Sequence, residues 1–135
     1  MKKLYLISND KIWTTKKNYT SNNDLNNIIS CLNKKYQIEL LCRKSLRKLD
    51  YLVSEKFNIR KINDIEEKKI NILMISISPF NFLTLVKLII LGKEIKGYVY
   101  LRSDGFLEYK FRYGILGYYT YFFMFYLIKM KPKIL

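Results

Sequence analysis

The sequence predicts an α/β protein with a Rossmann-like parallel sheet and helices on both faces. Short apolar runs alternate along the chain with segments of helical periodicity, and polar residues follow each apolar run. With 135 residues, of which 50% are hydrophobic, the chain can bury one core. We therefore expect a single domain over residues 1–135.

The first unit predicted is a strand, a loop and a helix. Residues 4–8 form an apolar run that ends in polar residues, as buried parallel strands do. Residues 9–23 lack a hydrophobic period and predict a polar loop for acceptor recognition, or a solvated loop whose Trp13 folds inward. Asn23 or Asp24 is expected to cap the helix that follows.

The middle of the chain predicts three more strands. Residues 38–42 are the second strand, and a helical or irregular stretch at 45–56 leads to a weak third strand at 57–62. A charged turn separates this strand from residues 70–77, which form the most strand-like segment of the sequence. Together with the first strand, these segments supply most of the expected sheet.

The next predicted unit is a helix followed by a strand. Pro79 suits the first turn of a helix, and residues 80–95 have the apolar content to continue it until Gly97. Residues 98–101 are β-prone and predict a fifth strand.

The last part of the chain is apolar. Residues 106–112 lead into a helix over 113–130 that is apolar almost all round, so we expect it to be covered on more than one side. It is expected to be a core helix or a helix covered by the missing C-terminal half of the protein, and its neighbouring lysines and arginines also fit an interfacial membrane helix. Residues 133–135 look like the beginning of another strand.

Charge and composition narrow the partners. The net charge of +14, with a basic excess in both halves, favours anionic partners such as nucleic acid, phospholipid or phosphorylated substrates. We expect no nucleic acid partner, because the aromatic residues cluster in apolar helices and not among the lysines. No apolar run is long enough for a membrane span, so we expect a cytoplasmic protein, peripheral on the inner membrane face.

Several kinds of chemistry are disfavoured. The sequence has no glycine-rich nucleotide motif, so nicotinamide, flavin and P-loop chemistry are not expected. It has no histidine, which removes a serine–histidine–aspartate triad and the usual zinc ligands. Cys31 and Cys42 are predicted to be free buried thiols. We expect no metal and no cofactor.

The candidate site lies where the predicted strands end. In an open parallel sheet, ligands bind outside the carboxyl ends of the strands, so the residues that follow each strand are the candidates. Arg102 could clamp a phosphate, and Asp104 could accept a proton from a sugar hydroxyl. Alternatively, residues 103–105 are only a tight turn in which Arg102 pairs with Asp104 or Glu108. The catalytic candidates are Asp104 and Arg102, and the substrate-binding candidates are Ser78, Pro79, Ser103, Gly105, Glu108, Tyr109, Asn9 and Lys11.

These segments resemble a known family. Residues 75–80 (ISISPF), residues 98–105 (YVYLRSDG), and Glu108 with Tyr109 are similar to the N-terminal domain of GT-B glycosyltransferases of the retaining, nucleotide-sugar-dependent type. The resemblance covers nearly the whole chain, although its motifs are short. In many members a histidine follows the strand equivalent to residues 98–101, and residues 102–104 occupy that place here.

The resemblance implies a function and a partner domain. This domain would bind the acceptor, a glycan or lipid-linked saccharide, and a nucleotide-sugar would be the co-substrate. A C-terminal donor-binding domain would be required and is absent from residues 1–135, so the chain alone is expected to be inactive or very weak. The alternative hypothesis is a non-enzymatic membrane-surface or scaffold protein that uses its basic charge and its aromatic helix.

Overall fold

The computed structural model describes residues 1–14, 19–49, 51–52 and 57–131, and it confirms the predicted fold class. The described residues form strands, three α-helices and a 3-10 helix at Ile62–Asp64. In chain order the strands and α-helices are β1 (Lys2–Thr14), β2 (Tyr19–Ser21), α1 (Asn23–Leu32), β3 (Tyr36–Lys44), β4 (Tyr51–Leu52), β5 (Asn58–Ile59), β6 (Lys69–Ile75), α2 (Pro79–Ile90), β7 (Glu94–Tyr100) and α3 (Gly105–Lys129).

The sheet has the strand order of a Rossmann fold. Five of the described strands run parallel in the order β5-β3-β1-β6-β7. Numbered among themselves along the chain, they follow the order 3-2-1-4-5. β3 and β5 are therefore added on one side of β1, and β6 and β7 on the other side. The strand order thus reverses at β1, which lies between β3 and β6.

Hydrophobic clusters lie on both faces of this sheet. Alternate residues of β1 point to opposite faces, so Leu6 packs with Leu25 and Ile29 of α1, whereas Ile7 packs with α2 and α3. Leu6, Ile7, Leu25 and Ile29 are fully buried. Helices thus cover both faces, as expected from the alternation of strands and helices in the sequence.

The predicted loop over 9–23 was wrong, because β1 continues to Thr14. The pairing with β3 shifts register between Ile7 and Lys11, and it then resumes with Lys11 opposite Arg43. At this bulge the Ser8 hydroxyl accepts a hydrogen bond from the backbone N–H of Asp10, at 3.1 Å. The Ser8 side chain therefore satisfies a backbone N–H group at the bulge, where the run of apolar residues ends.

Other described residues of that segment form a small antiparallel extension. Trp13 pairs with Thr20 of β2, and β2 pairs in turn with β4. Trp13 is half-buried, which agrees with the inward-folding alternative. The helix that follows is capped by Asn22, one residue before the earlier of the two expected caps, through its side-chain oxygen and the Leu25 N–H at 2.8 Å.

The structure agrees with the second predicted strand more fully than with the third. β3 contains the predicted segment 38–42. Residues 45–49 form bends without a helix, whereas residues 50 and 53–56 of the predicted stretch lie outside the described part of the chain. The weak strand at 57–62 is reduced to the two residues of β5, which pair with Glu39 and Leu40.

The predicted helix over 80–95 is too long at its end. Ser78 caps α2, and Pro79 is its first residue, as predicted. The helix ends at Ile90, and Gly92 makes the turn with a φ of 72°. Gly97 lies instead inside β7, whose first residues belong to the stretch predicted as helix.

α3 begins earlier than predicted and contains a break. Residues 106–112 are helical, and the two helical segments meet at Gly114, whose φ of 67° and ψ of −153° are not helical. The segments fold against one another, and the Phe106 ring lies 4.8 Å from the ring of Tyr121. A Cβ atom on Gly105 would overlap the Tyr121 ring, so this contact requires glycine.

The second segment of α3 is covered on one side only, contrary to expectation. Gly117, Tyr121, Met124 and Ile128 are buried, at helical spacing. Most of the remaining large apolar side chains of this segment are exposed. Within the described residues, no helix has both the length and the apolar character needed to cross a membrane. The predicted strand at 133–135 lies outside the described residues.

Candidate functional site

A cavity of about 740 Å³ lies at the carboxyl ends of the parallel strands. Asn9 contributes from β1, Arg43 from β3, and residues 75–78 from the end of β6, while Leu101 and Arg102 follow β7. These positions surround the point where the strand order reverses, which is the usual ligand site of open parallel sheets. The start of α2 and both segments of α3 supply the remaining walls.

Most of the residues predicted from strand ends line this cavity together. The lining includes the predicted Asn9, Ser78, Pro79, Arg102, Ser103, Gly105, Glu108 and Tyr109. Asp104 and Lys11 are not among the lining residues. Lys11 is an exposed residue of β1 beyond the bulge, because the segment that was predicted as a loop is a strand.

Arg102 is held by carboxylates from two other elements. Its Nη2 lies 3.3 Å from Oδ2 of Asp10, and its Nη1 lies 3.9 Å from Oδ2 of Asp24. The alternative drawn from the sequence was that Arg102 pairs with the nearby Asp104 or Glu108. In the structure its partners are instead distant along the chain. The Arg102 side chain is 29% exposed and still faces the cavity.

Asp10, whose side chain is 15% exposed, supports this arginine. Its two carboxylate oxygens accept hydrogen bonds from the Ser8 hydroxyl and from the Asn22 amide, each at 2.8 Å. Asn22 also caps α1. The bulge of β1, the start of α1 and the turn after β7 are therefore connected through Arg102.

Two predicted site residues act as helix caps. Oδ1 of Asp104 accepts hydrogen bonds from the backbone N–H groups of Phe106 and Leu107, at 3.0 and 3.3 Å. The Ser78 hydroxyl accepts one from the Asn81 N–H at 3.2 Å. The caps explain these residue types without a ligand, and their predicted roles in catalysis and binding remain predictions.

Glu108 already has protein partners at the cavity wall. Its Oε2 accepts a hydrogen bond from the Ser103 hydroxyl at 2.8 Å, and its Oε1 lies 3.0 Å from Nη2 of Arg112. Tyr109 packs between the rings of Tyr113 and Tyr121, and burial raises the pKa of its phenol. The wall therefore combines an ion pair with aromatic surface.

The turn between β6 and α2 has an unusual backbone. Ser76 has a φ of 63°, which is uncommon for a residue with a side chain. The buried Asn81 amide donates hydrogen bonds to the carbonyls of Ile75 and Ser76, at 2.7 and 3.0 Å. Strained turns of this kind occur often at functional sites, and this one forms part of the cavity floor.

Three charged residues that line the cavity were not among the predicted catalytic or substrate-binding residues. Arg43, Arg112 and Asp24 all contribute to the wall. Arg43 follows the predicted second strand and could have been chosen by the strand-end rule. Arg112 and Asp24 lie on helices, and only the packing of those helices brings them to the cavity.

Arg43 has the least compensated charge of the cavity arginines. Its Nη1 lies 3.4 Å from the neutral Oδ1 of Asn9. Among the described residues no carboxylate lies within ion-pair distance of Arg43, whereas Arg102 has two such partners and Arg112 has one. This guanidinium is therefore the most suitable of the three for an added anion.

The cysteines play no visible part in the cavity. Cys42 is half-buried, and burial raises the pKa of its thiol to about 12, so it is a poor nucleophile at neutral pH. Cys31 is exposed, not buried as predicted. In the described portion of the chain no group of histidine, cysteine or carboxylate side chains could hold a metal ion.

The cavity combines groups suited to an anionic, hydroxyl-rich ligand. Guanidinium groups bind phosphate or carboxylate, serine and carboxylate oxygens bind hydroxyls, and aromatic rings pack on apolar faces. No protein-family model, curated protein or solved structure matches this chain. The protein is therefore assigned to the Rossmann-like α/β class by its strand order.

Proposed function

We propose that this chain is the acceptor-binding domain of a GT-B type glycosyltransferase that uses a nucleotide-sugar donor. The observation that carries the proposal is the cavity at the point of strand reversal, where arginines from different elements meet serine hydroxyls and aromatic rings. In open α/β sheets this is the position at which ligands bind.

Anion binding is supported by the charges around the cavity. Arg43 and Arg102 approach from the ends of two strands, and both α2 and α3 begin at the cavity wall. The amino end of α2, whose cap Ser78 is neutral, carries partial positive charge that favours phosphate or carboxylate, whereas Asp104 already places a carboxylate at the amino end of α3. An acceptor with a phosphate group fits these features.

Saccharide binding is supported by the other side of the cavity. Ser103 and Glu108 offer oxygen atoms to sugar hydroxyls, and the Tyr109 and Tyr113 rings offer flat apolar surface. In the proposed reaction, Arg102 holds an anionic group of the acceptor, and Asp104 acts as the acid-base or acceptor-orienting group.

The proposal includes a partner domain and a location. A donor-binding domain supplies the nucleotide-sugar and closes the cavity, and the protein works at the inner face of the membrane on glycan or lipid-linked acceptors. The support for this location is the net charge of +14 together with the exposed aromatic surface of α3.

Binding of phosphorylated sugars tests the acceptor site. Isothermal titration of the chain with glucose 1-phosphate and N-acetylglucosamine 1-phosphate should show binding that weakens about tenfold or more in Arg43→Ala or Arg102→Ala, because each change removes a charge-assisted hydrogen bond. Arg47→Ala is the matched control, since Arg47 is an exposed arginine that does not line the cavity.

Two results would contradict the acceptor site. One is a wild-type chain that binds neither sugar phosphate, and the other is binding that Arg47→Ala weakens as much as the two cavity variants do. The second result would indicate attraction to the general positive charge.

A second candidate function is a non-enzymatic membrane-surface or scaffold protein. It is favoured by the exposed apolar residues of α3 that do not line the cavity, such as Ile115, Tyr119 and Phe123. Sugar-phosphate binding that depends on Arg43 and Arg102 would argue against this candidate, since a scaffold needs no such site.

A further inference from the structure

Residues 115–130 of α3 expose large apolar side chains along several helical turns, on the side of the helix that faces away from the sheet. We call this side the outer face of α3. Five of these side chains are between 47% and 66% exposed: Ile115, Tyr119, Phe122, Phe123 and Tyr126. Single exposed apolar residues are common, but contiguous groups mark interaction sites.

The core of the protein does not use this face. The opposite side of the same segment packs on the sheet through Tyr121, Met124 and Ile128, each at most 5% exposed. Rings on the outer face contact neighbours within α3, as Phe122 does with Tyr126 at 5.9 Å. Phe123 also meets the Phe82 ring of α2 edge-on at 6.4 Å, and it remains 59% exposed. The outer face of α3 is therefore free to contact a partner without any change in the fold.

Positive charge lies at both ends of this apolar surface. Lys110 precedes residues 115–130, and Lys129 and Lys131 occur at their end, all with exposed side chains. The acidic residue of α3, Glu108, already pairs with Arg112. Aromatic surface bordered by lysines is complementary to anionic phospholipid, whose head groups attract the cations while rings enter the boundary with the acyl chains.

Charge also argues against a second copy of this chain as the occupant. Two chains with a net charge of +14 each would repel one another, and the lysines around the two faces would approach closely. Anionic lipid meets no such repulsion.

We propose that the outer face of α3 binds the surface of an anionic bilayer and lies parallel to it. The tyrosine hydroxyls remain at the level of the head groups, while the Phe122, Phe123 and Ile115 side chains reach below them. This proposal does not depend on the acceptor site, because binding to a vesicle requires no sugar or sugar phosphate.

Vesicle flotation tests the bilayer contact. The chain should float with vesicles that contain phosphatidylglycerol, and much less with vesicles of phosphatidylcholine alone. High salt should weaken the binding, because it screens the attraction between lysines and head groups. A wild-type chain that does not float with phosphatidylglycerol vesicles at low salt would overturn the proposal.

The apolar part is tested with a matched pair of double variants. Ile115→Ser with Tyr119→Ser should weaken flotation about tenfold or more, since two side chains that enter the interface are lost. The control is Leu46→Ser with Ile90→Ser, because these side chains are 100% and 77% exposed and lie outside α3. Equal losses in both variants would overturn the assignment to α3.

The charged part is tested in the same way. Lys129→Glu with Lys131→Glu should weaken flotation about tenfold or more, whereas Lys34→Glu with Lys35→Glu changes the net charge equally at the end of α1 and should have a smaller effect. Unchanged circular dichroism shows that each variant is folded. If both pairs weaken flotation equally, the binding follows net charge and the proposed surface is wrong.

Discussion

The Asp104 carboxylate, which lies between β7 and α3, has a structural role in addition to its predicted catalytic role. Asp104 caps α3 through Oδ1, and the cap accounts for the contacts of that oxygen. Asparagine caps helices about as well as aspartate does, but its amide cannot accept a proton as a base. The substitution therefore separates the two roles.

We expect Asp104→Asn to retain the stability of the fold and to lower sugar transfer about 10²- to 10⁴-fold, the usual contribution of a general base. Asp104→Ala should also lose about 1 kcal/mol of stability with the cap. Transfer is measured from a radioactive nucleotide-sugar in the presence of the donor-binding domain, and stability by urea unfolding.

Asp64→Asn serves as the control for Asp104→Asn, because Asp64 is an exposed aspartate that does not line the cavity. Full transfer activity in the Asp104→Asn protein would remove Asp104 from catalysis. Arg102 would then be the remaining catalytic candidate.

At the scale of elements, the break in α3 determines the shape of the cavity wall. Both helical segments line the cavity, and they can fold together because Gly114 adopts a backbone conformation that is almost confined to glycine. A Cβ atom at Gly114 would meet no neighbour within 4 Å, so the requirement for glycine comes from the backbone alone.

Gly114→Ala is expected to destabilise the protein by about 1–3 kcal/mol, because alanine must adopt a strained φ and ψ or the two segments must separate. Urea unfolding measures the loss. Ile115→Ala, at the exposed next position, is the control and should change stability by less than about 0.5 kcal/mol. Equal stability of the Gly114→Ala and wild-type proteins would show that α3 has no break in solution.

At the scale of the whole molecule, a small network joins elements at the end of the sheet opposite to the cavity. Glu67, just before β6, accepts hydrogen bonds from Lys3 and from the Tyr5 hydroxyl of β1, the latter at 2.7 Å. The bonds from Lys3 and then from Tyr5 lower the pKa of Glu67 from 4.5 to about 2. The carboxylate form is therefore favoured in the folded state.

This pKa shift predicts how stability depends on pH. Since the folded-state pKa is lower than the unfolded-state pKa, the stabilisation is complete above pH 4.5 and is lost as the pH falls towards about 2. Glu67→Gln should lower stability slightly at pH 7, because the side chain is 36% exposed and solvent screens the pair. Its difference from the wild type should shrink on acidification.

Thermal unfolding between pH 7 and pH 2 measures this difference. Glu66→Gln is the control, because Glu66 is the exposed neighbour of Glu67 and its substitution changes the net charge equally. A constant difference between the Glu67→Gln and wild-type proteins over this range would contradict the lowered pKa.

The sequence by itself determined the α/β class and a group of residues that meet in the cavity. Alternating apolar runs and helical segments report the burial of each segment, and in a parallel sheet the strand ends must share one edge. Ser78, Arg102 and Glu108 were found in this way. The N-terminal strand was underestimated, because side chains such as Ser8 and Asp10 satisfy its bulge and no apolar period marks them.

Only the tertiary structure decided which distant residues meet. The placement of β1 between β3 and β6 brings Asp10 and Asp24 to Arg102, and the break at Gly114 turns Arg112 towards the cavity. It also decided that α3 is buried on one side and exposed on the other. Local periodicity cannot predict such contacts, because strand pairing and helix packing join residues that are far apart in the sequence.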